Sequence, residues 1–273
     1  MDLAANRQYA RALALGAGGA LLFALPLLMT MEMWQLGFGI ERSRLLLLFL
    51  LCLPMLLGLS YFAGFEPTFH WRDEVLDTFA ALAIGILLAA AVLLLLGALK
   101  ADQGPSEVIG KIALCAIPGA MGALLAGKQF SSARQDIAPP SSRGAYGEEL
   151  FTMMVGALFL AFNIAPTDEV PIIAHQMDMG RTLLLVVLSL LLLHVTVYEL
   201  GLPGQDLRKE GGGFVRTFLT FSVPGYAIGL LTSAYVLWTF GRLDGVSLGE
   251  AVSMMVTLGL PAALGCATAR LVI

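Results

Sequence analysis

Charged side chains make up only 13% of the 273 residues, about half the roughly 25% found in soluble domains. With 58% hydrophobic residues and a mean hydropathy of +0.83, that shortage excludes a water-soluble globular protein, whose surface could not be covered. Basic residues are scarcer than acidic ones, 16 Lys and Arg against 20 Asp and Glu. The resulting net charge of −4 excludes a basic nucleic-acid-binding surface. Three cysteines, Cys52, Cys115 and Cys266, lie singly inside apolar runs, with no CxxC and no Cys/His cluster. Neither a disulfide framework nor a zinc site is expected from them. HExxH, GxSxG, P-loop and dinucleotide fingerprints are missing too, and one intramembrane His with scattered Met is poor material for haem. The chain is therefore expected to be neither an enzyme nor a cofactor carrier.

What fills the sequence is apolar runs of membrane-spanning length. Windows of about 20 residues, enough to cross the hydrocarbon core, fall at 12–34, 45–64, 77–99, 108–127, 149–168, 182–201, 215–240 and 248–270. The fold class is thus an all-α membrane protein with eight transmembrane helices. Arg7 and Arg11 before the first run also suit a signal peptide. The run ends in Met33, Trp34 and Gln35 rather than a small-x-small cleavage site, so it is read as a retained helix. Counting Lys and Arg alone, an N-terminus-in topology puts Arg7, Arg11, Arg72, Lys128, Arg134, Arg143, Arg208, Lys209, Arg216 and Arg270 on the cytoplasmic side. Arg42, Arg44, Lys100, Lys111, Arg181 and Arg242 remain outside, an asymmetry that favours both termini in the cytoplasm.

The second half repeats the first. "GALLFALPLLMTMEMW" from Gly19 lies without gaps on "GALFLAFNIAPTDEVP" from Gly156, which sets Thr30 on Thr167 and Glu32 on Glu169. The same offset carries Arg44 onto Arg181 and Tyr61 onto Tyr198. After the Gly-rich insertion Pro203 to Gly213, Arg72 meets Arg216 and Gly85 meets Gly229; one residue shorter again, Glu107 meets Glu250, Pro118 meets Pro261 and Gly122 meets Gly265. Charges matching in order carry the alignment, because apolar matches between membrane helices are uninformative. The spacing predicts two tandem four-helix repeats, 1–127 and 149–273, joined by a Ser/Pro-rich cytoplasmic linker over 128–148. An even number of spans per repeat gives both the same orientation, a parallel repeat about the membrane normal.

Glu32 and Glu169 are then placed at the outer ends of helices 1 and 5, behind Pro26 and Pro166. Proline frees carbonyls in the preceding turn, so a Thr hydroxyl, free carbonyls and a carboxylate would make an oxygen-rich site suited to a hard cation or a proton. The bland alternative is that Glu32 marks where the helix leaves the lipid, with Trp34 as interfacial anchor. Glu107 and Glu250 open helices 4 and 8, where a carboxylate complements the helix dipole; they could also form an outer acidic ring. His194, inside "LLLLHVTVYEL" and opposite Leu57 of the first repeat, is expected to hydrogen-bond a neighbouring helix or to take part in proton movement. His175 and Asp178 are expected to be solvated, while Gly16 to Gly19, Pro118/Gly122 and Pro261/Gly265 are expected to be close-packing or kinking positions.

With the "LLMTMEMW" and "APTDEVP" segments and the eight apolar runs in view, the whole chain resembles a family of uncharacterised bacterial integral membrane proteins, catalogued as a domain of unknown function. The resemblance implies a multi-helix inner-membrane protein and no particular activity. The residues themselves suggest a cation channel or transporter in which Glu32 and Glu169 at the repeat interface bind an inorganic cation or proton. Thr30 and Thr167 would supply neutral oxygens, with both carboxylates enclosed by protein or water. A homodimer or higher homo-oligomer would set four equivalent units around one pore. The contrasting reading is a non-transporting assembly or sensor protein with interfacial charges.

Overall fold

The computed structural model describes residues 3–63, 71–132, 146–199 and 214–272. All regular structure among them is helical: α1 Leu3–Leu28, α2 Met31–Gly39, α3 Arg42–Ala63, α4 Trp71–Leu95, α5 Pro105–Ser132, α6 Tyr146–Ile164, α7 Glu169–Gln176, α8 Met179–Glu199, α9 Phe214–Thr217, a π-helical turn Phe218–Ser222, α10 Val223–Thr239 and α11 Leu248–Val272. Eight helical segments are long and apolar enough to cross a membrane: 10–28, 42–61, 71–95, 105–126, 146–164, 179–198, 214–239 and 248–269. Helices are the expected answer, because hydrocarbon offers backbone amides no partner outside the helix itself.

The chain divides into two compact units, 1–137 and 138–272. In unit 1, α5 is the central helix; α1, α2, α3 and α4 all pack on it. Its spanning segment is 78% buried, against 33 to 39% for the other three spans of the unit. Small residues let backbones touch there. A β-carbon on Gly19 or on Gly122 would collide with the carbonyl oxygen of the other, so α1 and α5 cross at van der Waals contact of their main chains. In unit 2, α11 is central and α6, α7, α8 and α10 pack on it. Here Gly156 of α6 and Gly265 of α11 meet in the same manner, each approaching the other's carbonyl oxygen. Lost side-chain contact is repaid by dispersion between backbones, the usual reason for small residues at membrane helix crossings.

Three differences from the sequence reading concern boundaries. The first span of each unit ends earlier than its apolar run, at Leu28 and Ile164, and a separate helix of nine or eight residues follows, α2 or α7. Of the expected 128–148 linker, Lys128–Ser132 continue α5 and Tyr146 opens α6, while residues 133–145 lie outside the described residues. The Gly-rich insertion at 203–213 also lies outside them. Lastly, the seventh span is not one helix. Pro224 has no N–H for the Thr220 carbonyl and its ring crowds that oxygen, and the chain accommodates it with one wider turn closed by the Val223 N–H on the Phe218 carbonyl. The Tyr146 hydroxyl donates to the freed Thr220 carbonyl at 2.9 Å.

Candidate functional site

The four glutamates singled out in the sequence share a local setting: each stands in the first turn of a helix, Glu32 in α2, Glu169 in α7, Glu107 in α5 and Glu250 in α11. The placement of Glu32 and Glu169 at the ends of the first and fifth spans is therefore corrected. The chain breaks before them, and they start new helices, where a carboxylate interacts favourably with the positive end of the dipole.

In unit 1 the break lies at Met29 and Thr30. Thr30 is extended (φ −94, ψ 118). Its hydroxyl donates back to the Pro26 carbonyl, and the Trp34 indole N–H donates to the Leu28 carbonyl at 2.8 Å. The carbonyls of Pro26 and Leu28, left open by the break, thus each accept from a side-chain donor. From there α2 runs onto α5 with Met33 and Gly37 buried. A β-carbon on Gly37 would strike the backbone of Lys111, and one on Gly110 the Gly37 carbonyl. Glu32 is half-buried. Around α5, the buried Lys111 ammonium donates to the Ala98 carbonyl at 3.0 Å and pairs with Glu107 at 2.6 Å. Arg42 donates to the Ser106 carbonyl at 2.9 Å and to the Ser106 hydroxyl, and Arg44 pairs with Glu41 at 3.2 Å.

In unit 2 the break spans Ala165 to Asp168. The Thr167 hydroxyl donates to the Ile164 carbonyl at 2.7 Å. Arg242, from the turn between α10 and α11, reaches across to pair with Asp168 at 2.7 Å and to donate to the Pro166 carbonyl. Val170 and Ala174 of α7 are buried, the positions aligned with Met33 and Gly37. Glu169 is exposed rather than enclosed. Its carboxyl is held below the ordinary carboxylate range, first by the Thr167 hydroxyl, then by its own backbone N–H and by Arg242, against slight desolvation and the repulsion of Asp168. The Thr167 hydroxyl has one proton, and the 2.7 Å bond to Ile164 claims it in this rotamer. The Ile164 carbonyl and the Glu169 carboxylate therefore compete for that proton. Glu250 is half-buried, and its backbone N–H donates to the Ser247 hydroxyl at 3.3 Å. Exposed Arg181 pairs weakly with Asp178 at 3.9 Å, and His175 is exposed.

Several buried polar groups inside spans escaped the sequence reading, Asp77 and Ser189 among them. Asp77 is 5% exposed in α4; the apolar run was taken to begin at that residue, whereas α4 starts at Trp71 and sets Asp77 almost two turns inside. Ser189 of α8 is fully buried and donates to the Leu185 carbonyl at 2.7 Å. Ser and Thr are common enough in membrane helices that only a structure separates buried ones from the rest. His194 does hydrogen-bond a neighbouring segment, its Nδ1 lying 2.8 Å from the Ser222 hydroxyl. Among the described residues no group of three or more His, Cys, Asp or Glu could hold a metal ion. The three cysteines are buried and unbonded to one another.

Eight apolar spanning helices built around a central close-packed helix in each unit define a polytopic α-helical integral membrane protein. The chain belongs to the family described as "Putative integral membrane protein (DUF2391)", whose model matches residues 12–273. No curated protein and no solved structure matches it.

Proposed function

We propose that the protein is a transporter or channel for an inorganic cation or proton, built as two tandem four-helix repeats of parallel orientation in a bacterial inner membrane, with both termini cytoplasmic and no enzymatic activity. One observation carries the reading: the same broken span occurs in both halves, each break being followed by a short helix that opens on a Thr-x-Glu segment and packs on the central helix. Discontinuous helices in repeated units are a recurrent way of placing ion-binding groups within a membrane protein. The tandem relation is further supported by aligned glycine crossings, Gly19/Gly122 and Gly156/Gly265, and by aligned pairs three residues apart, Glu41/Arg44 and Asp178/Arg181. In this reading Glu32 and Glu169, with Thr30 and Thr167, are the ion-binding groups at the repeat interface. Glu107 and Glu250 act at the mouth, and a homodimer brings four units together.

The test is flux of several cations, at several pH values, into liposomes carrying the purified protein. Glu32→Gln and Glu169→Gln should each lower flux or shift its pH dependence, and the pair should be non-additive because both act on one path. Full flux in the double variant would remove these residues from the mechanism.

A second reading, a non-transporting assembly or sensor protein with interfacial charges, is favoured by a specific observation. All four glutamates sit in first helical turns, where the dipole already accounts for them, and Glu107 is neutralised by Lys111. No flux under any condition would select it.

A further inference from the structure

The sequence alignment sets Pro224 on Ala80 and His194 on Leu57. Unit 1 accordingly has an unbroken α4, Trp71–Leu95, whereas unit 2 has the π-helical turn Phe218–Ser222. Such turns occur frequently at functional sites, and the side chain that meets this one is His194. It is 3% exposed, and its Nδ1 is 2.8 Å from the hydroxyl of Ser222, the last residue of the turn. Thr78, aligned with Ser222, instead returns its hydroxyl to the Glu74 carbonyl of its own helix at 2.8 Å.

The other ring nitrogen is the informative one. Nε2 of His194 is buried and has no hydrogen-bond partner among the described residues. A buried polar atom left in that condition asks for an occupant, and for an imidazole whose Nδ1 is fixed by a hydroxyl the simplest is a proton. Three aromatic rings flank the imidazole: Phe214 at 4.2 Å, Phe218 at 5.2 Å and Tyr198 at 5.9 Å between ring centroids.

We propose that His194 is a proton-binding site of unit 2 with no counterpart in unit 1, the Nε2 lone pair being the acceptor and Ser222 holding Nδ1–H in place. The neighbouring segments bring few other titrating groups. Tyr198 lies on α8 itself, and α9 adds Phe214 and the exposed Arg216. The π-turn adds only Phe218 and Ser222. Tyr226 of α10 lies nearer Ser189, and α11 brings Cys266, whose thiol donates to the Gly225 carbonyl at 3.3 Å, with Glu250 at its far end. The proton site stands independently of the transport reading; the further step, that its occupancy sets the pH dependence of flux, rests on that reading.

The chain has three histidines, so the His70→Gln/His175→Gln variant leaves one imidazole. With 15N-labelled histidine in lipid nanodiscs, Nε2 should titrate with a single midpoint between about pH 5 and 8 while Nδ1 stays protonated. Ser222→Ala removes the hydroxyl and Pro224→Ala lets the turn rewind; each should move the midpoint by about one pH unit. A spectrum unchanged from about pH 4.5 to 9, or a midpoint indifferent to both substitutions, overturns the site. In liposomes, His194→Gln should remove the step of the flux–pH profile that falls at the His194 midpoint. An unaltered pH profile would overturn the coupling. A titrating imidazole in a protein without any flux would overturn transport and leave the proton site intact.

Discussion

Unit 1 and unit 2 follow the same order of long, short and long helices, yet each closes its helix break with different chemistry. In unit 1 the donors come from the short helix and the break itself: Trp34 bonds Leu28 and Thr30 bonds Pro26. Unit 2 keeps a threonine contact, Thr167 on Ile164, but has Pro171 where Trp34 would align, and a cation from another loop, Arg242, donates to the Pro166 carbonyl. The buried charge has moved as well. Lys111 of α5 has Met254 as its counterpart in α11, so Glu107 has an ammonium one turn away and Glu250 does not. What survives in both units is the backbone geometry at the crossings; what varies is which side chain satisfies a freed carbonyl. The carbonyl imposes a requirement, and any donor within reach meets it.

That contrast yields paired substitutions. The largest effect is expected at Glu107→Ala, which strands the buried Lys111 ammonium and should cost about 3 kcal/mol. Glu250→Ala removes only a dipole contact, about 0.5 kcal/mol. Unfolding in detergent measures both, and equal losses would erase the distinction between the two central helices.

Next come Gly85→Ala and Gly229→Ala. The alignment makes these glycines equivalent, but a β-carbon on Gly85 would strike the backbone of Ala116 and Ala120, whereas on Gly229 it meets Ala262 and Ala263 at ordinary van der Waals distance, 3.5 to 3.7 Å. The first should cost about 2 kcal/mol by overpacking. The second should be neutral or stabilise by up to about 1 kcal/mol through helix propensity. Thermal midpoints of the two variants, moving in opposite directions, would sharpen the comparison; parallel shifts would break it.

Trp34→Phe should cost about 1 kcal/mol, the net value of one hydrogen bond to a carbonyl otherwise left unfilled. Loss of helicity confined to the α1–α2 break, read by amide hydrogen exchange, is the expected signature. The smallest effect concerns Glu169. Its folded carboxyl is depressed, so its contribution is present above the unfolded pKa and is lost as pH falls through the folded one. Thr167→Ala should raise the NMR midpoint of Glu169 toward the ordinary carboxylate range, with no change at Glu32. A midpoint that does not move would assign the depression to the backbone N–H or Arg242 instead.

The eight spans could be read from the sequence because a bilayer demands long apolar runs, and composition alone locates those to within a few residues. The breaks after Leu28 and Ile164 could not, since a Thr-x-Glu segment behind an apolar run suits the end of one helix as well as the first turn of the next. Pro26 and Pro166 were visible signals that carbonyls would be freed. The carbonyls that Thr30, Trp34 and Arg242 meet are others, those of Pro26, Leu28 and Pro166, opened by the breaks themselves, and such contacts across turns and loops are encoded by no periodicity. Pro224 was equally visible in "FSVPGY", but an apolar window averages over a proline, and the π-turn it forces went unseen. Asp77 was lost to a boundary placed one and a half turns late. His194 was legible as a residue that bonds a neighbouring segment, though not as one with a ring nitrogen left over.

Hydrogen exchange puts the π-turn in a different light. A helix opens as a cooperative run of amides, and α4 of unit 1 offers one such run over Trp71–Leu95. In unit 2 the ladder changes register at Phe218–Ser222 and lacks an amide at Pro224. Protection there should fall into two blocks with separate opening energies, one ahead of the proline and one behind it. The block ahead, held partly by the Tyr146 hydroxyl on Thr220, can exchange while Val223–Thr239 stays closed.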